Sequence, residues 1–168
     1  ALVTGGSRGI GAAIVLALAG DGFDVAINYR RDEAAARRTA QLVEALGRRA
    51  EVYAASVDDY DADRRMVDAV LADFGHIDTF VHSAGIASRG ASVVDTDPAE
   101  LERVWRTHAF GAFAIAQMVV PSMRTRPRGD VIVISSVAAS AMAGYSAPYN
   151  MGKASLEALA RTLAKEER

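Results

Sequence analysis

The chain contains no cysteine. Disulfides, thiolate zinc sites and a cysteine nucleophile are therefore excluded. Neither sign of charge dominates: 19 Lys and Arg stand against 21 Asp and Glu, interspersed, for a formal net charge of −2. Without a basic stripe, neither nucleic acid nor an anionic membrane is an expected partner. No apolar run approaches the roughly 18 residues of a membrane span. No charged segment precedes an apolar stretch at the amino end, so no signal peptide is expected and a cytoplasmic location is the default. What is present is ordinary for a globular chain: 168 residues, 51% hydrophobic and 24% charged, enough for one domain with a sizeable core.

Short apolar runs alternate with longer helical patterns. Strands are expected at 1–4, 24–29, 50–56, 78–84 and 130–136, and helices at about 9–20, 32–46, 60–74, 97–125 and 147–166. Val- and Ile-rich strands alternating with helices predict right-handed βαβ units around a parallel sheet. Asp97 is placed to cap the fourth helix, Pro98 suits its first position, and Glu100 would complete a capping box. Gly47 and Gly75 read as helix stops. No repeat, low-complexity tract or linker interrupts this order. Only three residues precede the first glycine loop motif, and "LAKEER" ends within helical periodicity, so a domain spanning 1–168 and incomplete at both ends is expected.

The stretch "TGGSRGIG" follows the first strand and opens the first helix, with Gly5, Gly9 and Gly11 as G-x-x-x-G-x-G. A tight turn needs a permissive backbone. A pyrophosphate must reach main-chain N–H groups at a helix N-terminus with no Cβ in the way. The bland alternative is a glycine-rich turn that binds nothing, but strand, loop and helix occur in the order that dinucleotide binding requires. Arg8 lies inside the loop and Arg30 follows the second strand, where an NAD site usually offers a carboxylate to the ribose; no acid appears before Asp32. Cations there suit a 2′-phosphate, and NADP(H) is expected in preference to NAD(H). Solvated arginines are the plainer reading.

The segment 147–166 reads as an amphipathic helix, and Tyr149 and Lys153, four residues apart, share one of its faces. By spacing alone they are a surface pair, or a proton donor beside the cation that tunes it. Four motifs in order bear on the choice: "TGGSRGIG", "SAG" after the fourth strand, "ISS" ending the fifth, and "YNMGK" starting thirteen residues after Ser136. Together they resemble the short-chain dehydrogenase/reductase family over the whole chain, and most of all its 3-oxoacyl carrier-protein reductases. The resemblance implies an α/β fold: a Rossmann-type doubly wound parallel sheet, order 3-2-1-4-5, with helices on both faces. The last strands and the substrate-covering loop of the family would lie outside this chain.

The resemblance also implies roles. Tyr149 matches the general acid/base, Lys153 the residue that holds the nicotinamide ribose and lowers the tyrosine pKa, and Ser136 the donor that polarises a carbonyl. A free phenol titrates near 10 and is a poor base at neutral pH, so a neighbouring ammonium has work to do. Without Tyr149 downstream, Ser136 would read as a turn serine at a strand end. Cofactor contacts carried over are Thr4, Gly5, Ser7, Arg8, Gly9, Ile10 and Gly11 in the loop, then Arg30, then Ser56 and Val57 after the third strand. Ser83, Ala84 and Gly85 follow the fourth strand, and Tyr149 and Lys153 complete the set.

The pattern departs from the family at four places. The family's Asn-Asn-Ala-Gly reads His82-Ser83-Ala84-Gly85; its adenine aspartate reads Ser56, with Asp58 and Asp59 displaced; and its fourth-helix asparagine reads His108. His108 falls on the core-facing side of that helix with Leu101, Val104, Trp105 and Ala112. It is either a satisfied core histidine or a relay group replacing the amide, and as a relay it would titrate near 6.5 and impose an acidic limb on activity. The loops "GIASRG" and 137–148, with Met142 and Tyr145, are candidate walls of a substrate pocket. The expected activity is hydride transfer between nicotinamide and a ketone or secondary alcohol, with a 3-oxoacyl thioester as the candidate substrate, in a dimer or tetramer. A cofactor-binding module without turnover, acting as a sensor or interaction subunit, is the alternative, and an inactive truncated fragment the bland one.

Overall fold

A computed structural model describes residues 1–167. Leu2–Thr4 forms β1 and Val25–Tyr29 forms β2, and every residue of both is buried. Such strands are covered on two faces, which is why they read as unbroken apolar runs. Ala50–Ala54 (β3), Thr79–His82 (β4) and Asp130–Val133 (β5) complete one parallel sheet in the order β3-β2-β1-β4-β5. Successive residues of each strand point to opposite layers. Leu2, Ala26 and Phe80 pack with Met66, Val67 and Val70 of helix α3 (Tyr60–Phe74) and Ile115 and Val119 of α5 (Gly111–Met123). Val3, Ile27 and Val81 pack on the other side with Val15 and Ala19 of α1 (Gly9–Gly20) and Ala36, Ala40 and Val43 of α2 (Glu33–Ala45).

The expected helix over 97–125 is three segments: α4 (Pro98–Trp105), a π-helical turn at Arg106–Phe110, and α5. The widened turn lets Thr107, His108 and Ala109 all be buried in succession, which an α-helical period does not favour. It also carries Gly111 against the backbone after β3, where a Cβ would meet the Val57 carbonyl oxygen at 2.3 Å. Asp97 caps α4 as expected, accepting from the Ala99 N–H. The capping box does not form. The Glu100 carboxylate instead accepts from the Arg89 N–H at 2.9 Å and pairs with Arg103, tethering the loop after β4 to α4.

Three strands stop short of their apolar runs because the next residues serve elsewhere. After β5, Ser136 leaves the ladder to receive the Ala138 and Ala139 N–H groups and start the short helix α6 (Ala138–Ala141), which the sequence pattern did not announce. Gly75, at φ +81, ends α3, and Gly47, at φ +75, follows α2. The last helix, α7 (Ala147–Glu166), closes with the Glu167 N–H on Leu163; Arg168 lies outside the described residues. Among the described residues no helix is long and apolar enough to cross a membrane.

One residue of the core is anomalous. Asp63, on the inner face of α3, is fully buried and neither carboxylate oxygen has a hydrogen-bond partner. Burial, and then Asp59 and Asp58, push its carboxyl up to about 8. Between the unfolded carboxyl pKa of about 3.9 and that value the folded chain holds a proton that the unfolded chain releases. Its contribution is therefore complete in acid and lost as pH rises through the folded pKa. Asp63→Val is expected to stabilise the fold by about 1–3 kcal/mol, with a larger gain at alkaline than at acid pH, as read by thermal unfolding across pH. A gain independent of pH would show that Asp63 carries no excess charge cost.

Candidate active site

Parallel strands leave N–H and C=O groups unpaired at their carboxyl ends, and side chains satisfy them here. Thr4, the last residue of β1, accepts from the N–H groups of Ser83 and Ala84 through Oγ1 at 3.1 and 3.2 Å. Its Oγ1 lies 3.1 Å from His82 Nδ1, and His82 Nε2 lies 3.1 Å from the Thr107 carbonyl. A carbonyl only accepts, so Nε2 carries the ring proton and Nδ1 accepts from Thr4. Burial pushes the His82 pKa down to about 3, the Thr107 bond opposing and His108 and Lys153 reinforcing the shift. The neutral ring thus joins β1, β4 and the π turn.

The glycine loop leaves this edge under close contact. Gly5 and Gly9 have φ +64 and +57. A Cβ on Gly11 would lie 2.2 Å from the Gly5 carbonyl oxygen, and one on Gly5 would press on the Ala84 Cα at 3.0 Å. Thr39 of α2 reaches the Ser7 carbonyl at 3.3 Å, and Asn28 of β2 takes the Gly5 N–H at 3.2 Å. Beyond Arg8, whose backbone is extended, α1 presents its first N–H groups and the positive end of its dipole. Arg8 and Arg30 are exposed and their side chains make no hydrogen bond or ion pair among the described residues. Asp32, the nearest acid, is engaged as the cap of α2 through the Ala35 N–H. Ser56 donates to Asp58, and Val57 is buried.

At the other end of the same edge stand three residues from two helices. Lys153 is buried, its Nζ donating to the Ile134 carbonyl at 2.6 Å and lying 5.8 Å from the Tyr149 ring centroid. Burial lowers its pKa. The His108 ring meets Tyr149 edge-on, centroids 5.3 Å apart. Its Nε2 is 2.8 Å from the Ile86 carbonyl and 3.2 Å from the Ile86 nitrogen. One nitrogen cannot donate and accept at once; the shorter contact makes Nε2 the donor, leaving Nδ1 a buried acceptor with no partner. The seat is shaped for this ring: a Cβ on Gly85 would come within 2.7 Å of His108 Cε1, and one on Gly152 within 3.3 Å of its Cβ. Burial pushes the His108 pKa down to about 4, Ile86 opposing and Lys153 reinforcing, so titration near the free value is overturned.

A cleft of about 720 Å³ connects the two ends. It runs from Arg30 past Gly5, Arg8 and Ile10 and the Ser83–Gly85 backbone to His108, Tyr149 and Lys153. Ser135 and Ser146 line it, whereas Ser136 does not. Ser136 Oγ accepts from the Ala138 N–H at 3.2 Å, the contact of a turn serine, and Ser135 donates to Glu157. Met142 and Tyr145 are exposed at φ +48 and +59, outside the lining, on a loop held by the Asn150 side chain at the Ala143 carbonyl. A cleft with cations at one end and an ordered Tyr, Lys and His at the other suits an extended dinucleotide. Asn28 was not picked out from the sequence as part of this wall; the one available signal was an amide inside the apolar run "VAINY".

The sequence matches the profile of the short chain dehydrogenases over residues 1–168. The chain belongs to that family. It is 34% identical to the versicolorin reductase stcU of Emericella nidulans, over 98% of this chain and 61% of that protein. It is also 34% identical to the 3-oxoacyl-[acyl-carrier-protein] reductase FabG of Staphylococcus aureus, over 99% of this chain and 67% of that one. It thus spans about two-thirds of the curated relatives it matches. A metagenomic short-chain oxidoreductase in complex with NADP superposes with a TM-score of 0.94 at 32% identity, over 99% of this chain and 75% of that one. NAD+-bound xylitol dehydrogenase superposes at 0.92 and 31%, over 98% and 63%.

Two neutral histidines inside a dehydrogenase fold have a measurable consequence. An unfolded histidine titrates near 6.5, and the folded His108 only near 4. Its contribution to stability is complete above the unfolded value and is lost as pH falls toward the folded one. Wild type is expected to lose on the order of 2 kcal/mol more than His108→Asn across that acid interval, as read by unfolding midpoints at matched pH. Parallel pH profiles for the two proteins would refute neutral burial of His108.

Proposed function

We propose that the chain is the cofactor-binding and catalytic part of an NADP(H)-dependent oxidoreductase acting on a ketone or secondary alcohol. The observation that carries this reading is the single cleft with the glycine loop at one end and Tyr149 beside Lys153 at the other. NADPH, when bound, supplies the hydride to the carbonyl carbon. Tyr149 gives its phenolic proton to the carbonyl oxygen, and the Lys153 ammonium stabilises the phenolate left behind. For Ser136, which stands outside the cleft lining and accepts from Ala138, the role of donor to the charge developing on the substrate oxygen rests on the family resemblance alone. His108 Nδ1, an acceptor beside Tyr149, replaces the family's amide in the path by which that proton is restored. The similarity to FabG supports a 3-oxoacyl thioester as substrate. Trp105 on α4 and Phe113 on α5, both exposed, support self-association.

Tyr149→Phe keeps the ring and its packing but removes the transferable proton. Turnover with NADPH and a short 3-oxoacyl thioester is expected to fall by about 10²–10⁴, with NADPH binding unchanged in a fluorescence titration. A Phe variant that retains most of its activity would remove Tyr149 as the proton donor.

Arg8 and Arg30 without a free carboxylate nearby favour a 2′-phosphate, and similar structures in complex with NADP support the preference. Arg30→Asp is expected to erase or reverse it, by repelling the phosphate and accepting from a ribose hydroxyl. Equal affinity of the native protein for NADPH and NADH would count decisively against this assignment.

A further inference from the structure

The Asn28 side chain reaches from the glycine loop after β1 to the end of β3 across the cofactor edge. It is 2% exposed, near the carboxyl end of an interior strand. Its Oδ1 accepts from the Gly5 N–H at 3.2 Å, and its main-chain carbonyl accepts from the Gly6 N–H at 3.0 Å. The first two amides of the glycine loop are thus both held by one residue. On the other side, Nδ2 faces the carbonyls of Ala55, Tyr53 and Tyr29 at 3.1, 3.3 and 3.4 Å. Carbonyls only accept, so the orientation of the amide is set without ambiguity. Beyond the ends of β1 and β3 the ladder continues on either side of β2 through the Gly6 N–H on the Asn28 carbonyl and the Ala55 N–H on the Tyr29 carbonyl. The carboxamide adds a side-chain rung across both, as donor to one neighbour and acceptor from the other.

We propose that Asn28 is a positioning residue for the dinucleotide cradle, holding the glycine loop in register with the end of β3; this rests on the cofactor reading above. Gly5 lines the cleft from the loop side, and Ala55, Ser56 and Val57 line it from the β3 side. The carboxamide sits between them, so it sets their separation before any ligand arrives. On its other side Gly5 is backed closely by the segment after β4, where a Cβ would press on the Ala84 Cα at 3.0 Å. Neither hydrogen-bonding end of the amide is interchangeable. A carboxylate in its place keeps the Gly5 contact but turns an oxygen toward three carbonyl oxygens.

Asn28→Asp tests this, made in the chain's full natural reading frame. Affinity for NADPH and for NADH is expected to fall together, by about tenfold. The turnover number at saturating cofactor and the KM for the carbonyl substrate should stay within about twofold. Loss on both dinucleotides separates the effect from that of Arg30, which acts on the 2′-phosphate alone. A second measurement needs no variant: hydrogen exchange at the Gly5 and Gly6 amides of the free wild-type protein is expected to be slow before cofactor is added. Free exchange at those amides overturns the proposal, as does an Asp variant that melts earlier yet binds both dinucleotides as wild type does. Wild type that binds neither dinucleotide overturns the proposed function itself.

Discussion

The carboxyl edge of the parallel sheet must be closed without being filled. Where β1, β2 and β4 end, backbone donors and acceptors lose their ladder partners inside the protein, and each unsatisfied group would cost about 1–3 kcal/mol. Bulky loops could cover them, but then no ligand could reach the edge. This chain closes it with three small polar devices. Thr4 takes two N–H groups of the loop after β4, His82 joins Thr4 to the π turn, and Asn28 bridges the glycine loop to β3. All three side chains are buried, so the closure adds no bulk above the edge. An anion can then meet N–H groups directly, which is the condition for phosphate binding at such an edge.

The same constraint explains the pair of histidines. An imidazole is larger than the amide it replaces, and His108 fits only because Gly85 and Gly152 leave its ring room on two sides. The π turn delivers it: without the widened turn Thr107, His108 and Ala109 would not all face inward. Thr107 contributes its carbonyl to His82, so the two rings are settled by adjacent residues of one turn. Both stay neutral because charging either would put a cation in a buried place already close to Lys153. Two departures far apart in the sequence, His82 and His108, are therefore one repacked cluster in space.

Much of this was legible in the sequence, and the limits of legibility have physical causes. All five strands and their parallel arrangement followed from short apolar runs separated by amphipathic segments, and the signal is plainest in β1, β2 and β4, where burial on both faces writes itself into composition. The Asp97 cap and the Gly75 stop were visible because they rest on local chemistry. Glu100 was misread because its partner, the Arg89 N–H, is eleven residues away and no local rule distinguishes it from a capping-box contact. The π turn was invisible because His108 and its neighbours also suit an ordinary helix. Asp63 went unnoticed because an acid in the first turn of a helix is normally solvated and favourable. Tertiary packing alone decides that this one faces inward.

Lys153 shows how strand length reaches the chemistry. β5 leaves the sheet after Val133, though the apolar run continues through Ile134. Ile134 still gives its N–H to the His82 carbonyl, but its own carbonyl is no longer spent on a neighbouring strand. That carbonyl receives the Lys153 ammonium at 2.6 Å. A buried ammonium without an acceptor would be driven toward its neutral form, and a neutral amine would lose the charge that favours a phenolate beside it. Burial does lower the Lys153 pKa, and among the described residues no carboxylate pairs with it to oppose that. The carbonyl is thus the group that keeps the charge affordable in that place. Ending the strand one residue before Ile134 and placing a cation against Tyr149 are the same structural event.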